Sequence, residues 1–240
     1  MSHQELTIIY ELRSISANEV WAILSKKLGG FSGLIEFNDE KTTFEEILTL
    51  ISCSKDDRFR IKTDEFNIVL SAVANCEHTY LTIETRGLKT KTDWDTWISD
   101  FYSFKPFVQA WVSDVEYAYW QNAHDPIQYK ANNRSYDGLP MKSNGLPYPL
   151  EQQIIDISNN LGRRIFKTGF IEVVAAKMWF GDAFWQITER DKQAVLAELS
   201  RIPVDTEDHN GLLSIQAGLE PFTDSSDREI QDKLRVAVFG

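Results

Sequence analysis

The chain has 240 residues, 42% of them hydrophobic and 25% charged, which is the composition of a folded protein and excludes wholesale disorder. Asp and Glu number 36 against 25 Lys and Arg, a net charge of −11. That balance repels phosphate backbones and argues against direct nucleic-acid binding, though it would steer a basic partner protein. Its plainer reading is solubility. No apolar run approaches the ~18 residues of a membrane span, and the opening MSHQELTIIYELRS lacks the basic and apolar regions of a secretory signal. Only Cys53 and Cys76 are present, too few for a disulfide framework, so the expectation is a cytoplasmic protein with two largely buried thiols.

Residues 6–12 read as a first strand. Ser16 and Glu19 form a capping-box pattern before a helix with Val20, Trp21, Ile23, Leu24 and Leu28 at helical spacing, ended by Gly29 and Gly30. Thr43 with Glu46 predicts a second helix burying Phe44, Ile47, Leu48 and Ile51. Strands follow over 58–62, 65–73 and 79–86, separated by turn residues. Thr92 is placed as the cap of a third helix, with Trp94, Trp97, Ile98 and Phe101 on one face. The run 107–121 reads as a strand at its front and is ambiguous behind it.

Residues 122–150 differ in kind. They hold Pro126, Pro140, Pro147 and Pro149, four of the seven prolines, and their charges are mildly basic within an acidic chain. Irregular stretches longer than ~12–15 residues are uncommon in compact domains and are usually functional or disordered. Tyr129, Tyr136, Leu139, Met141 and Tyr148 favour an ordered excursion pinned to a surface over a linker. Beyond it the pattern predicts an amphipathic helix over 150–161, a strand within 170–180, a Thr188-capped helix to about Ser200 and a strand over 212–216. A last helix opens on Ser226 and Glu229, with Ile230, Leu234 and Val236 or Val238 inward. The expected fold is α+β, with a mixed or mainly antiparallel sheet and helices packed on it, forming one domain over 1–240 with a possible subdivision near 122–150.

Catalytic signatures are scarce. His3, His78, His124 and His209 form no HxH or HExxH pair, and there is no GxSxG, Walker or GxGxxG motif. No cofactor and no metal are therefore expected. The glycines around Gly29, Gly30 and Gly33 follow a helix instead of opening one, the wrong polarity for a phosphate cradle. Cys53 and Cys76 lie where inert thiols usually lie. His124 beside Asp125 is the one local acid–imidazole pair, and it supports an alternative reading as a small metal-dependent hydrolase. The adjacent carboxylates Asp39/Glu40, Glu45/Glu46, Asp56/Asp57 and Glu207/Asp208 do not face each other as a dyad would and read as acidic surface. Seven tryptophans, four of them between Trp94 and Trp120, are core material or, alternatively, interface anchors beside a charged rim.

The stretch FIEVVAAKMWFGDAFWQIT (residues 170–188) resembles the C-terminal signature of the immunity protein 52 family, in which a strand leads through a W-[FL]-G-x-x-F-W turn to a Thr-capped helix. Trp179, Phe180, Gly181, Phe184, Trp185 and Thr188 match, Ala175 departs, and a looser similarity extends over residues 5–237. The resemblance implies a non-enzymatic immunity protein that binds and neutralises a cognate nuclease effector of type VI secretion. The signature residues would be structural, with Trp179 and Trp185 packed around a tight Gly181 reversal. The expected contact surface combines Asp39, Glu40, Glu45 and Glu46 with Trp94, Trp97, Tyr117 and Tyr119, and the 122–150 loop. An adaptor or chaperone for a secreted effector is the remaining alternative.

Overall fold

A computed structural model describes residues 3–29, 35–54, 56–86, 92–104 and 106–240, so the predicted Gly30–Gly33 turn lies outside the described residues. In chain order the elements are β1 (Gln4–Glu11), α1 (Ala17–Lys27), β2 (Ile35–Phe37), β3 (Glu40–Thr42), α2 (Ile47–Cys53), β4 (Phe59–Lys62), β5 (Phe66–Val73) and β6 (His78–Thr85). They continue as α3 (Trp94–Phe101), β7 (Phe107–Asp114), α4 (Val115–Asn122), α5 (Pro126–Ala131), β8 (Met141–Ser143), β9 (Gln153–Ile155), β10 (Ile165–Phe166) and β11 (Ile171–Glu172). The last are β12 (Lys177–Phe180), α6 (Asp182–Thr188), α7 (Lys192–Leu199), β13 (Asp205–His209), β14 (Leu212–Gln216) and α8 (Arg228–Phe239).

Ten strands form one antiparallel sheet in the order β13-β14-β12-β7-β1-β6-β5-β4-β2-β3, and the fold is α+β. Strands from both sides of residues 122–150 share this sheet. Side chains alternate across the pleat, so each central strand feeds two cores. Leu6, Ile8 and Tyr10 of β1 pack with α1, α2 and α3 on one face. Ile9, with Trp111, Met178 and Phe180, packs with α6, α7 and α8 on the other. Helices on both faces explain why β7 is buried from Phe107 through Ser113. The sheet edges are guarded by brevity at β3 and by exposed Asp205, Glu207 and Asp208 on β13.

Local chemistry sets most element ends. Ser16 and Glu19 form the predicted capping box of α1. For α3, Asp93 takes the capping role placed on Thr92, its carboxylate accepting the Thr96 amide. At α2 only half the predicted box exists: Glu46 accepts from the Thr43 amide, the helix starts at Ile47, and Leu48 is exposed. Thr188 ends α6, where its hydroxyl donates to the Phe184 carbonyl, and Asp191 caps α7. Asp227, not Ser226, caps α8, which buries Leu234 and Val238 and exposes Val236.

Three expectations are corrected by the structure. Residues 150–161 form no helix, because Asp156 accepts the Ser158 amide and Asn160 donates to the Gln121 carbonyl, local bonds that compete with helical ones. Within 170–180 only 171–172 and 177–180 are strand. The cysteines are not buried: Cys53 is exposed and Cys76 half-buried.

Candidate protein-interaction surface

Between α4 and β11 the chain leaves both large cores and builds a small one of its own. Ala123, Tyr129 and Ile155 are buried together, with Trp120, Tyr136 and Ile157 packed against them. The Arg134 guanidinium sits 4.3 Å over the Trp120 ring, and the Lys130 ammonium 5.8 Å over Tyr136. Asp125 and Gln128 form a capping box for α5, with Pro126 in its first turn. The β8–β9 hairpin then stands on this base through the Ile155 amide, which donates to the His124 carbonyl (2.8 Å), and Asp156 donating to Pro140 (2.7 Å) closes the hairpin's own root. Lys142 pairs with Asp156 at 2.8 Å, and that hydrogen bond with the Ser158 amide holds the Asp156 carboxyl down to about 2.

Every residue from 137 to 153 is exposed except Asn144, which is half-buried. The connection from β8 to β9 is ordered by Asn144. Its Oδ1 accepts from the Leu146 amide (3.1 Å) and the Gln152 amide (3.2 Å), and its Nδ2 donates to the Leu150 carbonyl (3.0 Å). The Asn144 amide donates to the Gln152 carbonyl, Leu150 to Pro147, and Gly145 to the Ser143 hydroxyl. The amides of Asn144, Gly145, Leu146, Leu150 and Gln152 are thus paired within the loop. Its apolar side chains turn outward instead: Leu146 is 51% exposed, Leu150 60% and Tyr148 91%. Ile127, Leu139 and Met141 extend this apolar exposure along the same arm. Six large apolar side chains exposed on one segment are more than the scattered single residues of an ordinary surface.

The anchors expected from sequence are mostly elsewhere. Trp94, Trp97 and Tyr117 are buried, packing α3 and α4 onto the sheet, so they offer no contact surface; only Tyr119 is exposed. The Trp94 indole donates to Gln4 and the Tyr117 hydroxyl to Gln231. Among the carboxylates, Asp39 sits in the β2–β3 turn and is held below the usual range by hydrogen bonding to Lys62. Glu46 is lowered by the Thr43 amide and the neighbouring threonine groups. Glu40 and Glu45 are exposed. Of the predicted pinning residues, Tyr129 is buried and Tyr136 half-buried, but Leu139, Met141 and Tyr148 face solvent. Nothing in the sequence pattern singles out Asn144 or Leu146, and Leu150 reads there as the start of a helix, although the run Ser143-Asn144-Gly145 carries a turn signal.

The signature residues form a strand-to-helix corner. Ile9 pairs with Gln109 and Tyr10 with Phe107, leaving Val108 as a bulge whose carbonyl accepts the Gly181 amide at 2.9 Å. Trp179 enters one core while Phe180, Phe184 and Trp185 enter the other. Trp179 and Trp185 therefore lie on opposite sides of the sheet, contrary to the expected packing.

The acid–imidazole pair does not form. His124 is exposed, with Nδ1 3.3 Å from the Asn122 carbonyl, and Asp125 accepts from the Ile127 amide in its capping role. Among the described residues, no three His, Cys, Asp or Glu side chains gather as a metal-holding group. A cleft of about 430 Å³ beside the start of α3 is lined by Asp93, Asp95 and Lys177, but Lys177 pairs with Asp95 and Asp93 caps the helix. No helix among the described residues is long and apolar enough to cross a membrane.

No family model matches the chain, and no curated protein does. Among solved structures it is similar to the Pseudomonas aeruginosa T6SS protein PA0821, with a TM-score of 0.55 and 13% identity over 98% of this chain and 72% of that one. The two share a fold.

Proposed function

We propose that this chain is a non-enzymatic immunity-type protein that binds a nuclease effector of type VI secretion in the cytoplasm and neutralises it. The observation that carries the reading is the arm: an ordered loop whose apolar side chains are held in solvent by its own hydrogen bonds. Such a surface is suited to protein recognition, and its aromatic tip has the character of an interface anchor. The resemblance of residues 170–188 to the immunity protein 52 family supports the class of partner. The fold shared with a Pseudomonas aeruginosa T6SS protein is compatible with that setting. The net charge of −11 suits a partner that must present a basic groove to its own substrate.

The test is a titration. The purified protein is added to the C-terminal domain of whatever protein the neighbouring reading frame encodes, and nuclease cleavage and co-elution are followed together. Stoichiometric inhibition with co-elution is expected. Co-elution with cleavage intact assigns the chain to an adaptor role, and absence of binding overturns the reading.

A further inference from the structure

We infer that residues 144–150 act as a preformed insert that enters an apolar cleft on the effector, with Tyr148 as its anchoring ring and Asn144 as the positioning residue. This rests on the neutralisation reading above and specifies how the contact is made. The run Asn144-Gly145-Leu146-Pro147-Tyr148-Pro149-Leu150 carries no Asp, Glu, Lys or Arg in a chain with 61 of them. Interface cores are depleted of charge and enriched in Tyr, and rims are polar. Lys142 and Glu151 stand just outside the tip, the first held by Asp156 and the second 3.4 Å from the Ser143 hydroxyl, so charge is kept at the margin.

The loop's order is what turns exposure into a device. An apolar loop left to solvent would collapse or fluctuate, and ordering it on binding costs affinity; internal hydrogen bonds remove that cost beforehand. Asn144 supplies three of them from a single side chain. Two further features decide the kind of partner. The stretch 137–153 is almost wholly exposed, hence convex, and a convex tip needs a concave receptor. A symmetric dimer would need a self-complementary patch, and two copies at −11 each repel. The fit is a different protein with an apolar cleft.

Binding of the C-terminal nuclease domain is measured for the whole chain and for Tyr148→Ala, Asn144→Ala, Asn144→Asp and, as control, Val236→Ala on the exposed face of α8. Tyr148→Ala is expected to weaken Kd by about 30-fold or more, through faster dissociation, with the melting temperature unchanged. Asn144→Ala is expected to weaken Kd by about tenfold and to speed amide exchange at Leu146 and Gln152, which Tyr148→Ala leaves slow. Asn144→Asp keeps the acceptor for both amides but sets a carboxylate oxygen against the Leu150 carbonyl and puts a charge on the tip, so it should bind no better than Asn144→Ala. Val236→Ala should bind as the parent does. If the parent inhibits the nuclease and Tyr148→Ala inhibits it equally, the insert is overturned while neutralisation stands. If the parent does not bind, both fall. A self-associating parent that Tyr148→Ala renders monomeric would assign the loop to a second copy and overturn the inference as well.

Discussion

Gly181 illustrates how a residue can be required without unusual backbone geometry. Its φ of −87° suits any amino acid, so conformational freedom is not the reason for it. A Cβ there would lie 2.4 Å from the Phe107 carbonyl oxygen and 3.0 Å from the Phe107 ring, because the β7 bulge presses that strand against the start of α6. Neither obstacle can yield without disturbing the sheet. Gly181→Ala should therefore destabilise the fold by about 1–3 kcal/mol, the usual cost of overpacking, read as a lower denaturation midpoint at an unchanged slope. An unchanged midpoint would show that the corner has slack. The glycine and its aromatic neighbours stood out in the sequence, but the reason for the glycine did not. That reason is a carbonyl 74 positions away. Gln109 was less visible still: it is buried, its amide bonding both the carbonyl and the amide of Ile171, so that one side chain stands in for a strand partner.

At the scale of elements, legibility followed periodicity. The meander β4–β6 carries a strong apolar pattern, and the structure places its strands within a residue of where the pattern does; helix α3 ends at Phe101, three residues short of the expected Phe104, and β7 takes the front part of the 107–121 run. The arm could not be read that way. Its strands are three residues long, too short for alternation to register, and its base is a handful of aromatics instead of a stripe. β13 was invisible because all five of its residues are exposed and three are acidic. What holds the arm's hairpin upright can be tested by pH. The Asp156 carboxyl is depressed from 3.8 to about 2, first by Lys142 and then by the Ser158 groups. A folded value below the unfolded one means that the stabilisation is present above about 4 and is lost as pH falls through about 2. Carboxyl resonances followed by NMR should give Asp156 a midpoint near 2 that rises toward 3.8 in Lys142→Ala. An ordinary midpoint in the parent would mean that the hairpin root is not paired in solution.

Across the whole molecule, the uncharged tip and the acidic remainder divide the work of association. Ion pairs such as Asp39–Lys62 and Lys192–Asp208 cancel at a distance, so what a partner senses from afar is the residual −11. That field acts during approach and is screened by salt, with a Debye length of about 10 Å at 0.1 M and about 3 Å at 1 M. The tip acts after contact, through buried apolar area that salt does not weaken. Raising the salt should therefore slow association with the nuclease domain by about tenfold or more while leaving dissociation nearly constant. The Tyr148→Ala variant should show the opposite signature, fast dissociation with the parent's salt-dependent association rate. Stopped-flow association and biosensor dissociation at several ionic strengths separate the two. An association rate that ignores salt would remove electrostatic steering and leave the arm to find its cleft by unassisted collision, whereas dissociation that quickens with salt would place charge, not the apolar tip, at the centre of the contact.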